Sequence, residues 1–369
     1  MFFLIKRMLI AVLLLLGLLV VLGLAYHQFA PIFGGKPDAQ SQQKMAASPN
    51  YVDQIFVNLI PTEVSTRSET SLSFWETLRS FIMPSASKNP TQPLPTVQFN
   101  SQPFTDGSFA WLGHSTVLLS LDGVMLLTDP VFYRASPVPI GGAPFPQTHP
   151  TRITDLPDLD VVLISHDHYD HLDYQAIQEI APRVKQFMVP LGIKGHLQRW
   201  GIPDSKIREF DWYEEAVIGS VRITFTPARH FSGRGLFDRF KTLWGSWVVQ
   251  AEAGTVYFSG DGGYSPSFAE IGAQYGPFDM AFLEDGAYNQ DWNQIHMFPE
   301  EAVQAAIDLN ARILLPIHWA KFDLAMHDWT DPIERITAEG KKRGVTVTTP
   351  RIGKVFRHDN APSDVWWRQ

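Results

Sequence analysis

The sequence predicts an α/β fold behind an N-terminal transmembrane helix, and three observations carry that prediction. Apolar runs of strand length alternate with segments of helical periodicity along most of the 369 residues. Ionisable residues gather just past the carboxyl ends of those runs, where α/β proteins build their sites because rigid strands position short loops there. An unbroken apolar stretch stands near the N-terminus. Composition agrees: 45% hydrophobic and 18% charged residues are globular proportions, sufficient in this length for one large domain or two ordinary ones. The net charge of -8 and the lack of a Lys/Arg cluster argue against a nucleic-acid partner. With no cysteine, disulfides and thiolate ligands are excluded, so a metal would rest on His, Asp and Glu.

Lys6 and Arg7 precede an apolar run from Met8 to Ala25, and Phe2 to Ile5 lengthen it. About 18 residues at a rise of about 1.5 Å cover most of a bilayer core of about 30 Å. The alternative is a cleaved signal peptide, whose apolar region would be shorter and would end in an A-x-A-like site. The exit here, Gly23-Leu24-Ala25-Tyr26-His27, matches that poorly, so residues 1–30 read as a retained membrane anchor. Lys6 and Arg7 on one side, against Lys36 alone on the other, place the soluble part on the non-cytoplasmic side. Pro31 to Pro49 has the Gly, Ser, Gln and Pro content of a linker. Phe74, Leu78, Phe81 and Ile82 fit one face of a short helix. Residues 31–96 are therefore read as a linker with one short helix, and 97–369 as the folded domain.

Within that domain Phe109 to Leu112, Thr116 to Leu121 and Val124 to Thr128 read as strands, with Asp122-Gly123 as a hairpin turn. Asp160 to Ser165, Phe187 to Pro190, Val221 to Pro227, Gly245 to Ala251, Val256 to Ser259, Met280 to Glu284 and Ile313 to Ile317 read as further strands. Helices are predicted over Tyr174 to Ile180, Ile193 to Trp200 and Pro299 to Leu309. In the last, Pro299 suits the first turn and Glu300 and Glu301 suit its positive end.

The chemistry is concentrated after the strand Asp160 to Ser165, in His166-Asp167-His168-Tyr169-Asp170-His171. A polar loop of surface histidines is the plainer reading of any one of them. Three in six positions, behind a buried strand, argue for a shared partner instead. Four ligands so close suit two metal ions better than one four-coordinate ion. Imidazole and carboxylate without thiolate suit Zn²⁺ and leave Fe and Mn open. Later strand ends supply more ligands: His230, His318, and Asp261, whose two oxygens can bridge two cations and whose neighbouring glycines let the backbone come close. Each of these, taken alone, is more often structural; their common placement reads them as ligands. Asp129, in Thr-Asp-Pro, is either an acceptor that orients a ligand histidine or a plain turn residue. His149, His196, His327 and His358 carry no motif and are expected on the surface.

His166-x-His168-x-Asp170-His171, followed by His230, Asp261 and His318, resembles the metallo-β-lactamase superfamily, and within it hydrolases similar to N-acyl-phosphatidylethanolamine-hydrolysing phospholipase D. Trp111-Leu112-Gly113-His114-Ser115-Thr116, Leu127-Thr128-Asp129-Pro130, Leu243-Trp244-Gly245-Ser246-Trp247 and Ile317-His318-Trp319 share the likeness, which covers about Phe99 to Phe322. The resemblance implies an αββα sandwich, two mixed sheets face to face with helices outside. It implies that His166, His168 and His230 hold one metal, that Asp170, His171 and His318 hold the other, and that Asp261 bridges. It implies hydrolysis by a hydroxide shared between the metals, with His296 contacting substrate or donating a proton to the leaving group. His114, in Gly113-His114-Ser115, either lines the rim of the site or only caps a turn, and ranks below the ligands. The aromatics and arginines from His230 to Phe240 either receive an acyl chain and a phosphate or pack as an ordinary loop, and Arg234 and Arg239 have the right chemistry for phosphate.

Three functions remain open at this level. The first is a phosphodiesterase acting on a phospholipid or another amphiphile. The second is a lactonase or carboxylic esterase using the same two-metal core. The third is a membrane-tethered binding protein with a structural metal site, against which the completeness of the ligand set and the lack of cysteine argue.

Overall fold

A computed structural model describes residues 2–67, 71, 73, 75, 83 and 85–368. Most strands are apolar on successive residues, as strands covered on both faces must be. After a short hairpin, β1 (Tyr51–Val52) and β2 (Ile55–Phe56), the chain forms β3 (Phe109–Trp111), β4 (Val117–Leu121), β5 (Val124–Thr128), β6 (Leu159–Leu163), β7 (Val184–Pro190), β8 (Ile207–Phe210), β9 (Glu215–Ile218), β10 (Val221–Thr226), β11 (Ser246–Ala251), β12 (Gly254–Phe258), β13 (Met280–Glu284), β14 (Ile313–Ile317), β15 (Thr346–Val347) and β16 (Val355–Phe356). These make two seven-stranded mixed sheets, ordered β16-β3-β4-β5-β6-β7-β8 and β15-β14-β13-β12-β11-β10-β9. In the first, β3 to β5 are antiparallel neighbours and β5 to β8 run parallel. The second has the same division, antiparallel through β9 to β12 and parallel from β12 to β15.

The two-residue period of a strand assigns each side chain to a layer. Val161 and Leu163 join a core shared with Trp111, Phe225, Trp247 and Phe282, between the sheets. Val162 and Ile164 point the other way, onto Ile177 and Leu197 of the helices Tyr174–Ile180 and Lys194–Arg199. The second sheet is covered in turn by helices Ser267–Tyr275, Pro299–Asp308 and Asp331–Arg343, through Phe268, Val303 and Ile336. The architecture is the predicted αββα sandwich. The strands β8, β9, β15 and β16 and the helices Ser267–Tyr275 and Asp331–Arg343 were not expected from the sequence. The strands are two to four residues long, too short to show a period, and the Asp331–Arg343 helix buries only Pro332, Ile333, Ile336 and Gly340.

Helix Phe2–Phe29 is exposed along most of its length and meets the domain only at its C-terminal end, and its span Phe3–Phe29 is long and apolar enough to cross a membrane. The segment after it, read as a linker, lies against the domain over residues 31–67. Helix Ala39–Ala47 is capped by Asp38, whose carboxylate accepts from Ser41 N–H at 2.7 Å. Ser41 Oγ donates to buried Glu209 at 2.6 Å, and Lys194 pairs with Asp38 at 3.1 Å. Met45 and Phe56 are buried in the core. Two apolar pegs in a polar stretch give no periodicity, which is why composition alone reads as a linker. The proposed helical face of Phe74, Leu78, Phe81 and Ile82 lies outside the described residues.

Candidate metal centre

Both sheets deliver side chains to the same rim. His114 sits in the β3–β4 turn and Asp129 just past β5. His166, His168, Asp170 and His171 follow β6. From the second sheet come His230 after β10, Asp261 after β12, Glu284 at the end of β13, His318 after β14, and His296 ahead of helix Pro299–Asp308. Asp129 and His318 hold positive φ, 30° and 67°, a strained conformation of the kind that clusters at functional sites. Gly260 also has positive φ, 57°, and a Cβ there would collide with Ser165, so the Asp261 loop needs glycine to approach the His166 loop. The sheets are tied at this rim by His318 N–H to His114 O at 3.0 Å and Gly245 N–H to Ser165 O at 3.0 Å.

The eight predicted site residues come together here. His166 Nε2 lies 2.8 Å from His168 Nδ1, and His230 Nε2 lies 3.4 Å from the same atom. On the other side, Asp170 Oδ2 lies 3.3 Å from His318 Nε2 and 3.6 Å from His171 Nε2. Asp261 Oδ2 stands between the two groups, 3.0 Å from His171 Nε2 and His318 Nε2 and 3.9 Å from His166 Nε2 and His230 Nε2. His296 lies at the edge, its ring 5.1 Å from that of His230 and 5.5 Å from that of His318.

The outer ring nitrogens show what the inner ones offer. His230 Nδ1–H donates to Ile295 O at 2.9 Å, leaving an Nε2 lone pair directed inward. His171 Nδ1 lies 2.6 Å from Asp129 Oδ2, and Asp129 is itself fixed by Ser165 N–H at 2.7 Å and Ser165 Oγ at 2.5 Å. Asp129 is therefore the acceptor that orients a centre histidine. His171 Nε2 and Asp261 Oδ1 are buried with no hydrogen-bond partner among the described residues. Inward lone pairs, orphaned donor atoms and a carboxylate between two imidazole groups fit divalent cations.

The electrostatics point the same way. Burial and the neighbouring His171 push the His166 imidazole well below its usual range. Burial likewise pushes His230 well below it. Burial works to raise the Asp261 carboxyl, but His171 and His318 beside it hold it well below the ordinary carboxylate range. Burial opposes a charged His171, yet the carboxylates of Asp261 and Asp170 carry it well above the usual value. Some positive charge is thus demanded at this point, whether from protons or from metal.

Four residues depart from the expectation. His114 is buried rather than at the rim, with Nε2 3.2 Å from Asp170 Oδ2 and its ring 4.1 Å from that of His318. Glu284, which sequence reasoning passed over, is fully buried. Its Oε2 lies 3.0 Å from His296 Nδ1, and its Oε1 accepts from Met297 N–H at 2.9 Å and Gly262 N–H at 3.3 Å. Its position at the end of an apolar strand was the same signal that marked the others. His196, expected on the surface, is buried, accepting Gly35 N–H at 3.1 Å and facing Asp167 at 3.3 Å. His327 is also partly buried, against Tyr288, whereas His149 is exposed.

A cleft of about 280 Å³ opens over the cluster, walled by Val64, Phe231, Trp292, Ile295 and Leu324, with His296 on its lining. Val64 comes from the N-terminal segment, so that segment forms part of the wall. Arg234 does not face the cleft. It is buried with Nη1 donating to Asp167 O and Leu172 O, both at 2.7 Å, and Nη2 donating to Ile32 O at 2.9 Å. The loop reading of that stretch holds for Arg234.

Comparison with known proteins places these features. The model of the beta-lactamase superfamily domain matches residues 125–319, which include all eight predicted site residues. An uncharacterised Mycobacterium tuberculosis protein is 42% identical over 331 residues, spanning 87% of this chain and 88% of that one. N-acyl-phosphatidylethanolamine-hydrolyzing phospholipase D 1 of Caenorhabditis elegans is 37% identical over 264 residues, 67% of this chain and 74% of that one. Among solved structures, the metallo hydrolase Igni18 of Ignicoccus hospitalis aligns with a TM-score of 0.52 at 22% identity, covering 68% of this chain and 97% of that chain.

Proposed function

We propose that this chain, which belongs to the metallo-β-lactamase superfamily, is a two-metal hydrolase that cleaves a phosphodiester bond in a phospholipid or similar amphiphile. The observation that carries the two-metal reading is the position of Asp261 Oδ2, 3.0 Å from His171 and His318 and 3.9 Å from His166 and His230. His166, His168 and His230 would hold one ion, Asp170, His171 and His318 the other, with Asp261 between them. The donor set suits Zn²⁺. When bound, such ions supply Lewis acidity and make water acidic enough to ionise near neutral pH.

The chain's own residues do the rest. Phe231, Trp292 and Ile295 give the cleft apolar walls that hold an acyl portion and exclude bulk water. Glu284 holds His296 by Nδ1, so the ring's other nitrogen is left to carry a proton to the leaving oxygen. Asp129 fixes the orientation of His171. The phosphodiester preference is supported by the C. elegans relative, whose own name describes such a substrate. The N-terminal helix would keep the enzyme at a membrane with its domain on the non-cytoplasmic side.

The test is hydrolysis by zinc-loaded full-length protein of N-acyl-phosphatidylethanolamine, a lactone and a simple carboxylic ester. Phosphodiester cleavage is expected, with a loss of at least about 100-fold in Asp261→Ala. Cleavage of the lactone or ester alone would keep the two-metal centre and remove the phosphodiester substrate. Silence on all three with metal bound would favour a binding role.

A further inference from the structure

We propose that Val138, Ile140, Leu236 and Phe237 form a lipid-contacting face that sinks into the bilayer surface where the N-terminal helix leaves it. The inference concerns membrane geometry and does not depend on the bond the enzyme cleaves.

All four side chains are exposed, Ile140 and Phe237 by 82% and 81%. They lie on two separate loops, 134–142 and 231–240, and both loops are fastened to the end of the helix. Tyr26 OH donates to Pro137 O at 2.7 Å. Leu236 N–H donates to His27 Nε2 at 3.1 Å, and the His27 ring lies 6.3 Å from that of Phe237. Phe33, just beyond the helix, packs on Tyr26 and His27 at 5.6 and 4.8 Å between ring centroids. Arg199 donates to the helix's closing carbonyls, Phe29 O at 3.1 Å and Gln28 O at 3.3 Å. The helix therefore does not leave the domain on a free tether.

The length of the helix sets the depth of these contacts. Lys6 and Arg7 belong at one interface of the bilayer. From Lys6 to Tyr26 is about 20 residues, or about 30 Å at 1.5 Å per residue, the thickness of a hydrocarbon core. Tyr26, an interfacial residue type, then sits at the opposite headgroup level, and so do the loops bound to it. Exposed Ile and Phe at that depth gain from contact with acyl chains, which water does not offer. Arg134 and Arg239, exposed on the same two loops, suit lipid phosphates. The second loop also begins at Phe231, whose ring lies 4.5 Å from that of His168, so the lipid face and the metal centre share one stretch of chain.

The sequence has no cysteine, so each introduced cysteine is unique. Single variants Ile140→Cys, Phe237→Cys, Leu13→Cys within the helix, and Val217→Cys on edge strand β9 would carry an environment-sensitive fluorophore. The full chain would be reconstituted in phosphatidylcholine vesicles with a minor share of phosphatidylglycerol, with and without a nitroxide high on the acyl chain. Labels at 140 and 237 are expected to be quenched by roughly twofold or more, as for side chains about 5–10 Å into the headgroup–acyl boundary, while the label at 217 is not. Equal response at 140, 237 and 217 would overturn the proposal. So would blue-shifted but unquenched labels at 140 and 237, the sign of a second copy covering the face. An unquenched label at 13 would overturn it too, because the helix would then not define a bilayer. Hydrolysis is not read, so a failure of the phosphodiester reading leaves the result intact.

Discussion

Lys321 keeps its ammonium group out of water, three residues beyond His318. It is 4% exposed, donates to Val131 O at 2.7 Å and Leu112 O at 3.2 Å, and lies 5.2 Å from the Phe132 ring centre. Burial pushes it down from 10.5 to about 8. Because the folded value is the lower one, the sign is fixed. Below about pH 8 the lysine is charged in both states and the folded state carries the full cost of a buried charge. Between about 8 and 10.5 the unfolded chain binds more protons, so stability rises with pH, and above 10.5 the cost is gone. The difference in unfolding free energy between wild type and Lys321→Met should therefore move in favour of wild type across that window, by up to about 3 kcal/mol. Urea titrations at several pH values would show it, and a flat difference would refute it. The residue scale also marks what the sequence conceals. His166 to His171 were legible because they are crowded together. His114 and Glu284 were not: Glu284 carried the strand-end signal, but a lone histidine in a turn and a lone glutamate ending a strand are singled out only by partners more than ten residues away, Asp170 and His296.

Among the elements, long apolar strands were readable and the N-terminal segment was not. Strands β4, β5, β13 and β14 are runs of five mostly apolar residues and stand out at once. Residues 31–37 are ordered by contacts with helix Lys194–Arg199 and its surroundings, which no local pattern announces. Trp200 Nε1 donates to Pro31 O at 2.7 Å, Arg199 Nη1 to Gly34 O at 2.7 Å, and Gly35 N–H to His196 Nδ1 at 3.1 Å. The approach is backbone against backbone: a Cβ on Gly195 would collide with Lys36 O. Gly195→Ala should therefore push residues 31–37 away from the helix. The expected cost is about 1–3 kcal/mol, the usual range for overpacking a close contact. Hydrogen exchange is the discriminating measurement, with protection lost at Gly35 and Leu197 while β5 and β6 keep theirs. Unchanged exchange at Gly35 would mean that the segment is held from elsewhere, for instance by Asp38 and Ser41.

On the scale of the whole molecule, the centre is a joint between sheets. Asp129, His166, His168, Asp170 and His171 hang from the first, and His230, Asp261, Glu284 and His318 from the second. Strand alternation made the chain legible as α/β, and the sandwich followed from the family resemblance that the ordered motif carries. The pairing of the sheets was not, since only the fold brings residues 166 and 261 within 4 Å of one another. This geometry links metal to stability. Without cations, Asp261 Oδ1 is buried without a hydrogen-bond partner among the described residues, and the charge of Asp170 and Asp261 must be balanced by protons on His171 and His318, since His166 and His230 resist protonation. Ions that bind the folded state supply that balance and favour it by mass action, by about 2.7 kcal/mol when free metal is 100 times the dissociation constant. A chelator-stripped sample should therefore melt lower than the zinc-loaded one, and zinc should restore it. Asp261→Ala removes the carboxylate that stands between the two groups of histidines, so most of the zinc-dependent rise in Tm should vanish in that variant even where its stripped form is as stable as the wild type's. A rise of equal size in both proteins would place the bound metal somewhere other than this joint.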